Sequence, residues 1–191
     1  MTTPPDLVVR IATLLDRLGI PYHVGGSIAS SWYGSPRATA DLDVVIEIDR
    51  PRLEALGNAL RPNFYVSSEA MEEAFRQGGS FNAVALDAPF KIDFFLLGPR
   101  AFDREEFRRA ISRSWEESGL GVRLKSPEDL ILRKLEWFRL GGGTSTNQWR
   151  DVIGLLRAMK GELESDYLDR WAAELSLTEL LARARHEALQ L

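Results

Sequence analysis

Residues 41–48, DLDVVIEI, constrain this chain more than any other stretch. The run is rich in β-branched side chains, which predicts a strand. Successive side chains of a strand point to opposite faces. Asp41 and Asp43 therefore share one face, while Leu42, Val44, Ile46 and Ile48 take the other. A fold built around this strand has to bury the aliphatic face and accommodate two neighbouring carboxylates. Like charges on a half-buried strand repel, and a cation between them relieves the repulsion. Mg²⁺ suits that position, because it takes carboxylate oxygens and keeps water and phosphate oxygens at its remaining positions. Taken alone, D-x-D also admits a plainer reading, two solvated acids at the start of an edge strand.

The 191 residues are 45% hydrophobic and 27% charged, the balance of a chain that folds, and the length suits one domain or one domain with an appendage. With no cysteine there is no disulfide, thiolate zinc site or cysteine nucleophile, so any chemistry falls to oxygen and nitrogen. A net charge of -4 argues against binding nucleic acid through a global positive field, though a local basic patch remains compatible. Charged residues interrupt every apolar run, and Asp6, Arg10, Asp16 and Arg17 break the first twenty at helical spacing. No membrane span or signal peptide is predicted, and the expectation is a cytoplasmic protein.

An amphipathic helix is predicted through Leu7, Ile11, Leu14 and Leu15, closed by Gly19. Further helices are expected over residues 28–33, 52–60, 68–77 with Ser68 as N-cap, and 103–111. Strands are expected over 22–24, 81–86, 90–97, 113–116 and 121–124, and the turn Asp87-Ala88-Pro89 makes 81–97 an antiparallel hairpin. From Ser126 onward the pattern is helical, with a glycine loop at 141–147. The predicted class is α+β, a mixed sheet with flanking helices followed by a C-terminal helical region. The expected division is residues 1–124 and 125–191.

Three further features carry chemistry. FKIDFFLL sets Asp93 in a run that reads as too apolar for a solvated acid, so it requires a partner: a salt bridge to an arginine, or a place beside Asp41 and Asp43 on a neighbouring strand. Gly25-Gly26-Ser27 lies between a strand and a helix, where backbone N–H groups and the helix N-terminus favour an anion such as phosphate. Lys134 sits among Leu130, Ile131, Trp137 and Phe138 at helical spacing, on a face meant for burial; it either snorkels or meets an anion. Asp151, in the first turn of a later helix, is placed to orient Lys134 or Arg150, or simply to complement the helix dipole. Trp149 is read as core or as a stacking platform. Arg104 and Arg108 form either a face for RNA phosphates or, with their interleaved acids, a solvated helix.

Together, HVGGSIASSWYGSPRATADLDVVIEI and KIDFF resemble the nucleotidyltransferase superfamily: a strand, a glycine-serine turn, a helix, a strand bearing two acids, and a third acid on a later strand. GSPRATADLD is further similar to its AbiEii and toxin-like branch. The resemblance implies a polymerase-β-like fold over roughly the first 100 residues. It implies Asp41, Asp43 and Asp93 as catalytic metal ligands for two Mg²⁺ ions, with Asp93 also helping to deprotonate an attacking hydroxyl. It implies Gly25, Gly26, Ser27, Arg37, Thr39 and Lys134 around the nucleotide, Arg37 having a loop-anchoring role as its alternative. The implied activity is transfer of a nucleoside monophosphate from an NTP such as ATP to a hydroxyl of RNA, protein or a small molecule. A toxin-like role with an antitoxin partner follows from the branch. A nucleotide-binding module without turnover is the alternative, and a phosphodiesterase using the same acids is a third reading.

Overall fold

The computed structural model describes residues 4–115 and 119–190. By internal contacts the chain forms two compact units, Met1–Ile28 with Ala38–Lys125, and Ala29–Arg37 with Ser126–Leu191. The sequence expectation kept residues 1–124 together. In the structure a short excursion, Ala29–Arg37, belongs with the C-terminal helices.

The first unit is built on a seven-stranded mixed sheet in the order β3-β4-β5-β2-β1-β7-β6. The strands are β1 (Tyr22–Val24), β2 (Asp41–Ile46), β3 (Phe64–Val66), β4 (Ser80–Ala85), β5 (Lys91–Leu96), β6 (Ile111–Trp115) and β7 (Leu120–Leu124). The expected hairpin is present, β4 pairing antiparallel with β5. β5 then lies parallel to β2, with Asp41 opposite Lys91 and Asp43 opposite Asp93. β2 ends two residues before the predicted Ile48, and the predicted last residue of β6, Glu116, lies outside the described residues.

Alternation along β2 and β5 sorts the faces as the sequence pattern requires. Leu42, Val44, Ile46, Ile92 and Phe94 are buried in one core with Leu7, Val8, Ile11 and Leu15 of α1 (Pro4–Arg17) and Leu53, Leu56 and Leu60 of α3 (Arg50–Leu60). Full burial of each such side chain stabilises by roughly 1.5–3 kcal/mol. The acids of β2 and β5 are left on the opposite face.

Local caps set the helix limits. Asp49 caps α3, accepting the Arg52 N–H at 3.0 Å, so that helix starts two residues before the predicted Arg52. α4 (Ser68–Gln77) is capped by Ser67 rather than by Ser68, and it closes on Gly78 at φ 70°, the left-handed conformation glycine adopts without strain. α5 covers Ala101–Arg108, shifted toward the N-terminus, where the Asp103 carboxylate accepts the Arg100 backbone N–H at 3.2 Å and the Arg100 guanidinium at 2.8 Å.

The second unit contains α6 (Pro127–Leu140), α7 (Thr146–Ala158), α8 (Ser165–Glu174) and α9 (Thr178–Gln190). Ser126 caps α6, accepting the Asp129 N–H at 3.1 Å, and Ser145 caps α7 just before the predicted start at Asn147. α6 packs on α7 and α8, and α7 packs on α9. α2 spans Gly26–Trp32. Among the described residues, no helix is long and apolar enough to cross a membrane.

Candidate active site

The β2–β5 register settles how the three acids are arranged. Paired residues on neighbouring strands point to the same face, so Asp43 and Asp93 stand side by side, with Asp41 and Lys91 one step along. Asn82 of β4 lies opposite Asp93 on the other flank. Two separate β-segments thus bring Asp41, Asp43 and Asp93 to one polar face.

The surroundings of Asp93 correct the sequence reading. It is not sunk in apolar side chains, because alternation puts Ile92 and Phe94 in the core and Asp93 on the other face. Nor is its partner an arginine. The Lys91 ammonium lies 2.8 Å from Asp93 Oδ2 and 3.7 Å from Asp41 Oδ1. Asp93, Asp41 and Asp43 all push the Lys91 pKa up: the hydrogen bond to Asp93 acts most strongly, opposed by partial desolvation. Sequence analysis missed Lys91, although K-x-D in a strand puts lysine and acid on one face.

The glycine turn sits directly against this face. Gly25 N–H donates to the Asp43 carbonyl at 2.9 Å. Gly26 has φ 57°, and a Cβ there would collide with the Asp43 carboxylate. Glycine is therefore required twice over, for conformation and for space. Ser27 is buried in the first turn of α2. Beneath the turn, buried Lys125 pairs with Glu106 at 3.1 Å, and its Cε lies 3.6 Å from where a Gly25 Cβ would stand. That pair had no sequence signal, since Lys125 and Glu106 are nineteen positions apart. Thr39 shapes the start of β2: the Asp41 N–H donates to Thr39 Oγ1 at 3.2 Å.

The donor set fits Mg²⁺ in type. Three carboxylates supply hard oxygens from one sheet face, beside the Gly25-Gly26-Ser27 turn. Among the described residues, no group of three or more acids and histidines is placed to hold a metal ion as it stands. Mg²⁺ takes one or two carboxylates directly and keeps several waters and phosphate oxygens.

The remaining candidates belong to the second unit. Lys134 Nζ donates to Asp151 Oδ2 at 2.7 Å, both side chains being buried. Of the stripe predicted around Lys134, Leu130, Ile131 and Phe138 are buried but Trp137 is 51% exposed. Arg37 Nε lies 3.7 Å from the same Asp151 oxygen. Gly34 stands 3.0 Å from Ala158 Cβ by its virtual Cβ, and Gly154 allows the α7 backbone to close on Ser35. Positions 151, 154 and 158 lie on one face of α7, so Gly34-Ser35-Pro36-Arg37 is a docking segment for that helix. This is the anchoring alternative for Arg37. Trp149 is packed, 5.0 Å from the Phe138 ring, with its Nε1 donating to Glu187 and Arg183 over its face. Arg108 pairs with Glu105 at 2.8 Å, but Asp103 and Glu106 of the same helix are buried, so the interleaved acids are not simply a solvated face.

No protein-family model and no curated protein matches the chain. Solved structures do. An antigenic nucleotidyltransferase-like protein from Paracoccidioides brasiliensis superposes with a TM-score of 0.57 at 19% identity, over 95% of this chain and 91% of that one. ANT(2")-Ia in complex with adenylyl-2"-tobramycin gives 0.60 at 19% identity, over 92% and 98%. The chain has a nucleotidyltransferase fold. The lincomycin-bound lincosamide antibiotic adenylyltransferase LnuA adds a third likeness, with a TM-score of 0.56 at 10% identity, over 81% of this chain and 96% of that one. At these identities the likeness is one of fold. Within the nucleotidyltransferase fold of this chain, the three acids and the glycine turn are neighbours in a single unit.

Proposed function

We propose that the protein is a Mg²⁺-dependent nucleotidyltransferase that moves a nucleoside monophosphate from an NTP, ATP being the first candidate, to a hydroxyl. The observation that carries this reading is the pairing of Asp43 with Asp93, one step from Asp41, beside a glycine turn that only glycine can make. Asp41, Asp43 and Asp93 would hold the metal. Bound there, Mg²⁺ would neutralise the triphosphate and sharpen the acceptor oxygen as a nucleophile. Gly26 and Ser27, at the start of α2, would orient the phosphates. Asp93 would take the proton as the acceptor oxygen bonds to the α-phosphorus. The bond from that phosphorus to its bridging oxygen breaks, and pyrophosphate leaves. Arg37 and Lys134 act chiefly through Asp151, as supports of the second unit, and Thr39 through the start of β2.

ANT(2")-Ia carries an adenylylated antibiotic and LnuA a lincosamide, so small hydroxyl-bearing molecules join RNA and protein as acceptors to screen. The AbiEii-like branch, and with it a toxin role and an antitoxin partner, rests on the GSPRATADLD string, half of which has a packing explanation in this chain.

The test is incubation with each labelled NTP, Mg²⁺ and candidate acceptors, following pyrophosphate and label. Transfer by the wild type and none by Asp41→Asn or Asp93→Asn supports the reading; full turnover in either variant ends it. Lys91 favours a second reading, a nucleotide-binding module without turnover, since its ammonium already answers the acids' charge. NTP binding with no pyrophosphate from any acceptor is the result that would select it.

A further inference from the structure

We propose that Lys91 is a built-in counter-ion standing in for the divalent cation at the acid face, and that it makes metal and nucleoside triphosphate bind cooperatively. The inference deepens the transfer reading and rests on it.

Three carboxylates brought to one face repel one another. The register answers this with one side chain: Lys91 faces Asp41 across the strand pair and shares its own strand's face with Asp93. Its ammonium contacts both, at 3.7 and 2.8 Å. The raised Lys91 pKa, to which Asp41, Asp43 and Asp93 all contribute, agrees that the ammonium sits in the field of the whole trio. The side chains remain partly exposed, 39% for Lys91 and 22% for Asp93, so the pair is exchangeable. Exposed pairs of this kind hold weakly.

A divalent cation arriving alone has to displace the ammonium from the carboxylates and then endure its repulsion. The lysine is rooted in β5 and cannot leave. A triphosphate arriving with the metal gives the displaced ammonium a new anion beside the same face. Each ligand thus relieves a cost the other would meet, which is positive coupling, and by linkage the coupling is equal in both directions.

The experiment is calorimetric titration of the whole protein with Mn²⁺, alone and with a saturating non-hydrolysable ATP analogue. The analogue is titrated with and without Mn²⁺ to correct for complexes formed in solution. In the wild type the analogue should tighten Mn²⁺ binding by about 5- to 150-fold. In Lys91→Met, Mn²⁺ alone should bind about tenfold more tightly than to the wild type, and the coupling should shrink toward unity. Lys91→Arg, which keeps a cation, should restore weak binding and coupling. Unchanged or weaker Mn²⁺ binding in Lys91→Met, with a cooperative unfolding transition like that of the wild type, overturns the proposal. If Lys91→Met fails to fold, Lys91→Gln is read in the same way. The double variant Asp41→Asn with Asp93→Asn separates the two levels. Loss of Mn²⁺ binding there, with Lys91→Met equal to wild type, removes only the role of Lys91; binding that survives there removes the metal site itself.

Discussion

Two lysine–carboxylate pairs in this chain have almost the same length and quite different surroundings. Lys91 and Asp93 meet at 2.8 Å on a sheet face, with side chains 39% and 22% exposed. Lys134 and Asp151 meet at 2.7 Å between α6 and α7, at 7% and 3%. Distance therefore does not say what an ion pair is for. The buried pair has surrendered its water, and each partner is bound to the other by the cost of being left alone in a poor dielectric. The exposed pair keeps its water and competes with any other cation on nearly equal terms. One pair holds two helices together with Arg37 as a third member. The other stands at the face proposed above to receive metal and phosphate.

The widest contrast lies in catalysis. Asp41→Asn or Asp93→Asn should cut NMP transfer by at least about a thousandfold, on the scale lost when a main electrostatic group leaves a site. Asp151→Asn leaves all three acids untouched, and any loss of transfer in its folded fraction should be far smaller. Equal loss in the two sets would erase the distinction. In stability the order reverses. Asp151→Ala strands the Lys134 charge and should lower the unfolding free energy by about 3–5 kcal/mol in urea titrations. A loss below about 1 kcal/mol would mean that water reaches the pair.

Alkaline pH addresses the first unit alone. Burial, and then the nearby Asp16 charge, push the Tyr22 phenol from 10.0 to about 12. The unfolded chain releases that proton first, so the stability this group contributes is intact below pH 10 and is lost as pH rises toward 12. Over that window the wild type should lose up to about 3 kcal/mol more than Tyr22→Phe, measured by urea midpoints. Parallel curves would place the phenol in easier contact with water than its burial suggests. The smallest effect belongs to the exposed pair: Lys91→Gln should shift stability by less than about 1 kcal/mol. A larger drop would make it structural, like its buried counterpart.

Much of the acid face was readable from residues 41–46, because alternation of acid and aliphatic in a short strand leaves one arrangement that buries the aliphatics. The apolar letters around Asp93 are not its surroundings, because every second one points into the core, and the same alternation puts Lys91 beside it. β3 was not predicted, since Phe64–Val66 is too short to display a period. Ser67 and Ser68 are adjacent and equally good caps by composition, so the choice waited on which one the α4 backbone reaches. The packing of Ser35 on Gly154 and of Arg37 on Asp151 links positions more than a hundred residues apart, which no local pattern encodes. Lys134 on an apolar helical stripe does signal its need for an anion, and Asp151 of α7 supplies it.

Asp41, Asp43 and Asp93 are proposed to receive together the metal that accompanies a nucleotide. Paramagnetic broadening of assigned amide signals by substoichiometric Mn²⁺, with the non-hydrolysable ATP analogue present, locates that metal directly. The account predicts the strongest broadening at residues 41–43, 91–93 and 25–27, abolished in Asp43→Asn. Broadening centred elsewhere, or persisting undiminished in that variant, would contradict it.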